Sequence, residues 1–386
     1  MIIKGKRNSA YVFADKIDSS TKTQIASILR EEAYADSRIR FMSDVHSGRT
    51  APVGTTLTLS GRVHPALVGV DIGCGMEVVF LEEREADLKK LDDFIHAHIP
   101  CGAKVHETPL FGFDLDALRC RDRVDRARAL RSIGTLGGGN HFIELDRCQN
   151  GKLLLVIHSG SRQLGSDVAS HYLEQARRDQ CKKLKRRAGR SEEEVRCRSA
   201  EREIRNRKPV RKEEAVLEGD LFRAYLHDMG IVTAFADLNR RSMAGLICEA
   251  MGFTVRDRFS CVHNYVDVRH GILRKGAISA RQGERVIVPL NMRDGAVLGR
   301  GLGNPEWNFS APHGAGRACT RTEARHAFTV EDFRREMEGI FTTTAGEGSL
   351  DECPMAYKPP ERILKYLPET VEIEQIVRPV YNFKSC

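Results

Sequence analysis

The sequence predicts one large α+β domain over residues 1–386, with central β-sheets flanked by helices and a basic helical insertion at 166–229. Three observations lead there. Strand-length apolar runs and longer helical patterns are interspersed along the whole chain. No internal repeat or flexible linker divides it. The positive charge is concentrated in one helical stretch: Arg177–Lys212 holds 16 Lys/Arg against 6 Asp/Glu, while the remaining residues carry a balance of −2. Such a stripe fits a polyanionic partner or a solvated helical hairpin.

The elements follow in order. A short strand-like start leads to a helical stretch near Thr21–Ala35, and Arg40–Leu59 reads as strand and loop, rich in Gly and Thr. The apolar run Pro65–Val70 leads directly into Asp71-Ile-Gly-Cys74-Gly, and Glu77–Leu81 continues as a strand. Helices are expected at Glu85–His98 and Leu115–Ser132. Lys152–Ile157 is a buried-strand pattern ending in His158-Ser-Gly-Ser-Arg162. Long charged helices are expected at Ser166–Arg187 and Glu192–Asn206, with Gly189 and Pro209 as breakers. Gly219–Gly252 is a third helical region, short strands return over Thr254–Leu298, Val330–Met337 is a helix, and the tail is strand-like.

Composition excludes several classes. No apolar run approaches the ~18 residues that span a bilayer, so no membrane partner is expected. The start Met1-Ile-Ile-Lys-Gly-Lys-Arg lacks an apolar signal core. Eleven cysteines, an odd number without a CxxC pair, read as reduced thiols in a cytoplasmic protein. The 33 glycines are clustered, which excludes collagen-like order.

Polar residues of metal-ligand type recur at the ends of apolar runs, flanked by glycines. Asp71-Ile-Gly-Cys74 pairs a hard carboxylate with a thiol able to bridge two metals, although a buried structural cysteine has the same neighbours. Leu136-Gly-Gly-Gly-Asn140-His141-Phe-Ile-Glu144 sets three polar groups behind a forced turn. His158-Ser-Gly-Ser-Arg162 joins a ligating imidazole to groups suited to phosphate. Cys261-Val-His263-Asn264 repeats the theme. Pro312-His313-Gly-Ala-Gly316-Arg317 suits a nucleophilic imidazole with backbone N–H groups and a guanidinium around phosphate oxygens. Asp71, Cys74, His141, His158 and His263 are then five candidate ligands for one or two metals, with His313 left over; the mixed O/S/N set favours Mn, Fe, Co or Zn over Mg or Ca. No Walker A or dinucleotide-binding fingerprint occurs.

In this order these runs resemble the RtcB family of RNA-splicing ligases (3′-phosphate RNA ligases). Asp44-Val-His46-Ser-Gly, Arg274-Lys275-Gly-Ala and Asp351-Glu352-Cys-Pro-Met-Ala-Tyr357-Lys358 join the match, which spans nearly the whole chain. The resemblance implies an RtcB-like fold. It also implies a GTP- and Mn²⁺-dependent ligase that joins an RNA 3′-phosphate or 2′,3′-cyclic phosphate to a 5′-hydroxyl, in RNA repair or tRNA splicing. His313 would be the guanylylated nucleophile. Cys74 would bridge two Mn²⁺ ions, one completed by Asp71 and His141, the other by His158 and His263. Asn140, Arg162 and Arg317 would hold phosphate oxygens, and Asp44 would join the catalytic set. Asn140, Glu144, Asn264, Asn291, Gly314, Ala315, Gly316, Tyr357 and Lys384 would surround the guanosine nucleotide with His313. The chain departs from the family's Pro-Gly-Ser-Met-Gly run, having Pro289-Leu-Asn291-Met292-Arg293-Asp294-Gly. RNA with such ends and GTP are the expected partners; an activating protein is a further one, as for some members of the family, and a monomer is the expected state. Two alternatives stand beside ligation. One is a metal-dependent RNA-end phosphodiesterase or phosphatase, which would need no GTP. The other is a catalytically inactive RNA-binding factor, against which a metal content near two ions per chain would count.

Overall fold

Short, largely apolar runs build two main sheets, seen in a computed structural model that describes residues 1–187 and 215–385. The expected helix Glu192–Asn206, its breakers Gly189 and Pro209, and much of the Arg177–Lys212 stripe lie outside the described residues. The first sheet has six strands in the order Ile2–Lys4, Ser9–Val12, Ile39–His46, Val53–Thr58, Ile272–Lys275, Asn264–Asp267. The second has seven: Val255–Val262, Gly75–Leu81, Leu153–Ser159, Phe142–Arg147, Val371–Lys384, Gly295–Gly301, Arg285–Asn291. Every pairing in the second sheet is antiparallel. The mixture of sheets and helices is the α+β architecture expected.

The strand Leu153–Ser159 is buried along its whole length because both faces are covered. Leu154 and Val156 pack with Met76 and Val78 on one face. Leu153, Leu155 and Ile157 pack on the other with Leu91, Ile95, Met243 and Ile247. The last four come from the helices Leu88–His98 and Gly219–Met251.

Gly219–Met251 is 33 residues long, about 50 Å at 1.5 Å per residue. Its buried residues Tyr225, Met229, Val232, Ala236, Met243 and Ile247 recur at helical spacing, which explains why the region was legible. Gly252 ends it in the left-handed region, its N–H bonded to the carbonyls of Cys248 and Glu249. The helix Arg162–Arg187 packs beside it; Leu164, Val168, Tyr172 and Ala176 enter the same core as Tyr225 and Met229.

The expected helix Leu115–Ser132 is a correction. Only a 3₁₀ turn at Arg121–Arg123 and a short helix at Arg126–Arg131 form. The buried Asp228 carboxylate accepts the backbone N–H groups of Arg119 (2.9 Å) and Cys120 (3.1 Å), diverting them from helical partners. Asp125 then starts the short helix by capping Arg128 N. The run Pro65–Val70 contains one helical turn, Pro65–Val68. Near the N-terminus, Asp18 caps a helix over Ser19–Ile28, and Glu32–Tyr34 is 3₁₀.

Among the described residues no helix is long and apolar enough to cross a membrane. Nine cysteines are free thiols there.

Candidate active site

Antiparallel pairing brings the start of one strand beside the end of the next. In the second sheet this collects four distant segments at one edge. Cys74 immediately precedes Gly75–Leu81, and His141 precedes Phe142–Arg147. His158 lies at the end of Leu153–Ser159, and His263 follows Val255–Val262. The register pairs His158 with both Met76 and Phe142, and Gly75 with Val262.

The five candidate ligands meet there. Cys74 Sγ lies 3.5 Å from His141 Nε2 and 3.3 Å from His158 Nε2. His158 Nε2 is 3.3 Å from His263 Nε2, and His141 Nε2 is 3.6 Å from Asp71 Oδ2. Two trios, Cys74/His158/His263 and Asp71/Cys74/His141, each bring their donor atoms within 4.8 Å of one another, and Cys74 belongs to both.

The surroundings fix which atoms point inward. His141 Nδ1 faces the Leu136 carbonyl at 2.8 Å, and His158 Nδ1 faces the Asn140 carbonyl at 3.1 Å. Each Nδ1 therefore donates to a carbonyl, leaving an Nε2 lone pair for the cluster. His263 Nδ1 is buried without a hydrogen-bond partner. Burial holds His158 and His263 well below the usual imidazole range, so both are neutral donors. Burial likewise raises the Cys74 thiol, a cost that a cation on the sulfur would reverse. Burial also opposes ionisation of Asp71, but its polar neighbours His141 and Cys74 outweigh it and keep the carboxylate ionised. Neutral imidazoles, a sulfur and a carboxylate suit one or two transition-metal ions. Gly160 makes room for Asp71, because a Cβ there would lie 2.2 Å from Oδ1.

Two polar side chains on the long helix brace the cluster from behind. Asn239 accepts the N–H groups of Gly134 (2.8 Å) and Thr135 (3.0 Å) and donates to Gly160 O at 3.1 Å. Arg240, fully buried, donates to the carbonyls of Gly73 (2.8 Å) and Ser159 (3.0 Å), which adjoin Cys74 and His158. Sequence reading missed both. Their signal was an Asn-Arg pair on the buried face of an amphipathic helix.

A cavity of about 760 Å³ opens from this cluster, lined by Asp71, Cys74, His158 and His263 and also by His313. The His263 and His313 ring centres are 4.8 Å apart. His313 Nδ1 lies 2.6 Å from Asp44 Oδ2, and its backbone N–H donates to the same oxygen at 3.2 Å. Gly316 permits this approach: it has φ 73°, and a Cβ would lie 2.2 Å from the Asp44 carbonyl oxygen.

The other expected residues divide. Asn140, Glu144, Asn264, Asn291, Gly314–Gly316, Arg317, Tyr357 and Lys384 all line the cavity. Arg162 does not. It turns at φ 57°, and its guanidinium donates to Gly102 O (2.8 Å) and Thr135 Oγ1 (3.2 Å) beneath the glycine loop. Asn291 closes a turn on itself: its Nδ2 donates to Asp294 Oδ2 at 2.7 Å, and its Oδ1 accepts the N–H groups of Arg293 and Asp294.

Glu352, quoted only within a motif, proves central at the far end. It bonds Tyr357 Oη, takes Arg317 at 3.1 Å and Arg321 at 2.5 Å, and lies 3.5 Å from Lys384 Nζ. Burial opposes its ionisation, but Lys384 and Arg321 hold its pKa below the usual range. Glu144 is pushed up to about 7 by burial and accepts Asn382 Nδ2 at 2.5 Å. Lys275, also on the cavity wall, is pulled down to about 8 by burial.

The chain is similar to known proteins along most of its length. The family model described as tRNA-splicing ligase RtcB matches residues 29–117 and 114–385. The RNA-splicing ligase RtcB of Escherichia coli K12 is 30% identical over 388 residues, covering 90% of each chain. RNA-splicing ligase RtcB2 of another Escherichia coli strain is 26% identical, over 90% of this chain and 88% of its own. The tRNA-splicing ligase RtcB of Aeropyrum pernix is 25% identical, over 83% of this chain and 82% of its own. With nine-tenths of both chains aligned at that identity, and the motifs converging on one cavity, this protein belongs to the RtcB family.

Proposed function

We propose that this chain is an RNA ligase that joins 3′-phosphate or 2′,3′-cyclic phosphate ends to 5′-hydroxyl ends through a guanylylated His313, with GTP as co-substrate. The observation that carries the reading is His313 itself. Its Nδ1 is held by Asp44, and its ring shares one cavity with the Cys74-centred donor cluster.

With Nδ1 protonated and bonded to Asp44, Nε2 carries the free lone pair. Attack of Nε2 on the α-phosphorus of GTP forms a P–N bond, breaks the α–β P–O bond and releases pyrophosphate. The imidazole becomes cationic as that bond forms, and the Asp44 carboxylate neutralises it. An oxygen of the RNA 3′-phosphate then takes the GMP, breaking the P–N bond. Finally the 5′-hydroxyl attacks the activated 3′-phosphorus, GMP leaves, and the hydroxyl proton passes to solvent. A 2′,3′-cyclic end is first opened by water to the 3′-phosphate.

Asp71, Cys74, His141, His158 and His263 would hold the Mn²⁺ of the reaction, and such ions would supply charge neutralisation at the phosphates. Arg317 lines the same cavity, held there by its ion pair with Glu352, and is assigned to the phosphates. Glu144, Asn264, Asn291, Tyr357 and Lys384 are assigned to the guanosine end. The basic Arg177–Lys212 stretch, largely outside the described residues, suits the RNA backbone by its charge alone.

Incubation with radiolabelled GTP and Mn²⁺ tests the reading. A covalent GMP adduct is expected, absent in His313→Ala and favoured by GTP among the four nucleoside triphosphates. An unlabelled wild-type protein that still opens cyclic phosphate without GTP would replace ligation with end hydrolysis.

A further inference from the structure

Residues 119–131 hold six arginines and two aspartates, a local balance of +4 hidden inside a sequence region of near-neutral charge. The failed helix turns this segment into a surface on which Arg119, Arg121, Arg123 and Arg126 are exposed. Arg126 pairs with Asp116 at 2.6 Å, and Arg121 donates to the Asp116 carbonyl at 3.3 Å. The side chains of Arg119, Arg123 and Arg131 make no ion pair or hydrogen bond among the described residues.

The segment is continuous with the cavity. Arg321 lies on the cavity wall, and its Nη2 would be 3.9 Å from a Cβ on Gly139. Gly138 approaches the next loop, where a Cβ would be 3.7 Å from Gly102 Cα. Arg162 donates to the Gly102 carbonyl, and Arg128 Nη2 donates to the Ala103 carbonyl at 2.6 Å. The His106 N–H, bonded to the Arg131 carbonyl at 3.0 Å, ties the end of the segment to the same loop. A strip of glycine backbone at Gly138, Gly139 and Gly102 thus leads from the cavity wall at Arg321 to the loop tied to Arg128 and Arg131.

We propose that this strip binds the single-stranded RNA whose end enters the cavity, with Arg119, Arg123 and Arg131 on its phosphates. The inference rests on the ligase reading above and adds the track the strand takes. Arg119 and Arg123 are exposed and Arg131 is half-buried; guanidinium groups without an ion pair attract a chain of phosphates, whose binding releases counterions. The glycine rim lets the backbone of the strand approach without side-chain obstruction.

The test compares the full-length wild type with R119Q/R123Q/R131Q and with a control, R256Q/R258Q/R269Q, which removes the same charge from exposed positions elsewhere. A short single-stranded RNA with a 3′-phosphate is titrated across a salt series, and GMP labelling is read in parallel. The first variant is expected to label like wild type, to bind RNA about 10-fold more weakly, and to lose about 2 from the log–log salt slope. The control is expected to bind like wild type. Unchanged affinity and slope in the first variant, or equal losses in the control, overturn the proposal. Absent labelling in the wild type strikes the ligase reading instead. Photocrosslinking of 4-thiouridine RNA to the wild type is a check that needs no variant. Crosslinks within 119–131 support the track, and crosslinks confined to other segments overturn it.

Discussion

Asp44 Oδ2 sits 2.6 Å from His313 Nδ1, across 269 residues of sequence, and also accepts the His313 backbone N–H. One carboxylate oxygen thereby sets both the position and the tautomer of the imidazole. Its other oxygen, Oδ1, is buried without a hydrogen-bond partner, so the charge is directed at the ring.

Asp44→Asn should therefore slow GMP labelling by about 100-fold at saturating GTP, because a neutral amide neither fixes the tautomer nor balances the cationic imidazole. Labelling time courses check this. A wild-type rate would show that Asp44 does not orient His313.

Gly316→Ala should damage the same contact by a different route. The added methyl would lie 2.2 Å from the Asp44 carbonyl oxygen at a φ of 73°. We expect a stability loss of at least about 1 kcal/mol in denaturant unfolding, together with slowed labelling. Unfolding indistinguishable from wild type would mean that the loop relaxes without cost.

Cys74 is common to both donor trios, whereas His141 and His263 each belong to one. Elemental analysis of Mn-loaded protein should find Cys74→Ala depleted of more metal than His141→Ala or His263→Ala. Chelation should stop labelling of the wild type, and added Mn²⁺ should restore it. Equal metal loss in all three variants would contradict a shared sulfur.

Glu77 is fully buried, and neither carboxylate oxygen has a hydrogen-bond partner. Burial lifts its pKa from 4.5 to about 7. Between those values the folded state holds the proton more tightly than the unfolded chain, so stability falls as pH rises through that window. Glu77→Gln removes this titration. The stability of the variant relative to wild type should rise by roughly 2–3 kcal/mol from pH 5 to pH 8. A constant difference over that range would show that Glu77 titrates normally.

Glu352 compensates Arg317, Arg321 and Lys384 from a buried position. Glu352→Ala should cost about 3 kcal/mol of stability, because three cations lose their common partner. Thermal and denaturant unfolding measure it, and a loss below about 1 kcal/mol would mean that solvent replaces the carboxylate.

The polar groups that meet at the cavity were legible in the chain because donor type is a local property. Asp71, Cys74, His141, His158, His263 and His313 declare themselves by residue type, by flanking glycines and by position at the ends of apolar runs. The helix Gly219–Met251 was legible for a similar reason, since its buried face repeats at helical spacing. What no local pattern carries is which strand ends become neighbours. Antiparallel pairing across as many as 186 intervening positions, from Gly75 to Val262, decided that, as did the Asp44–His313 contact. The same long-range terms turned Arg162 beneath the glycine loop, broke the expected Leu115–Ser132 helix on Asp228, and set Asn239 and Arg240 behind the donor cluster. Hydrogen bonding explains the division: a buried donor takes whichever acceptor the fold presents, and that acceptor can lie anywhere in the sequence.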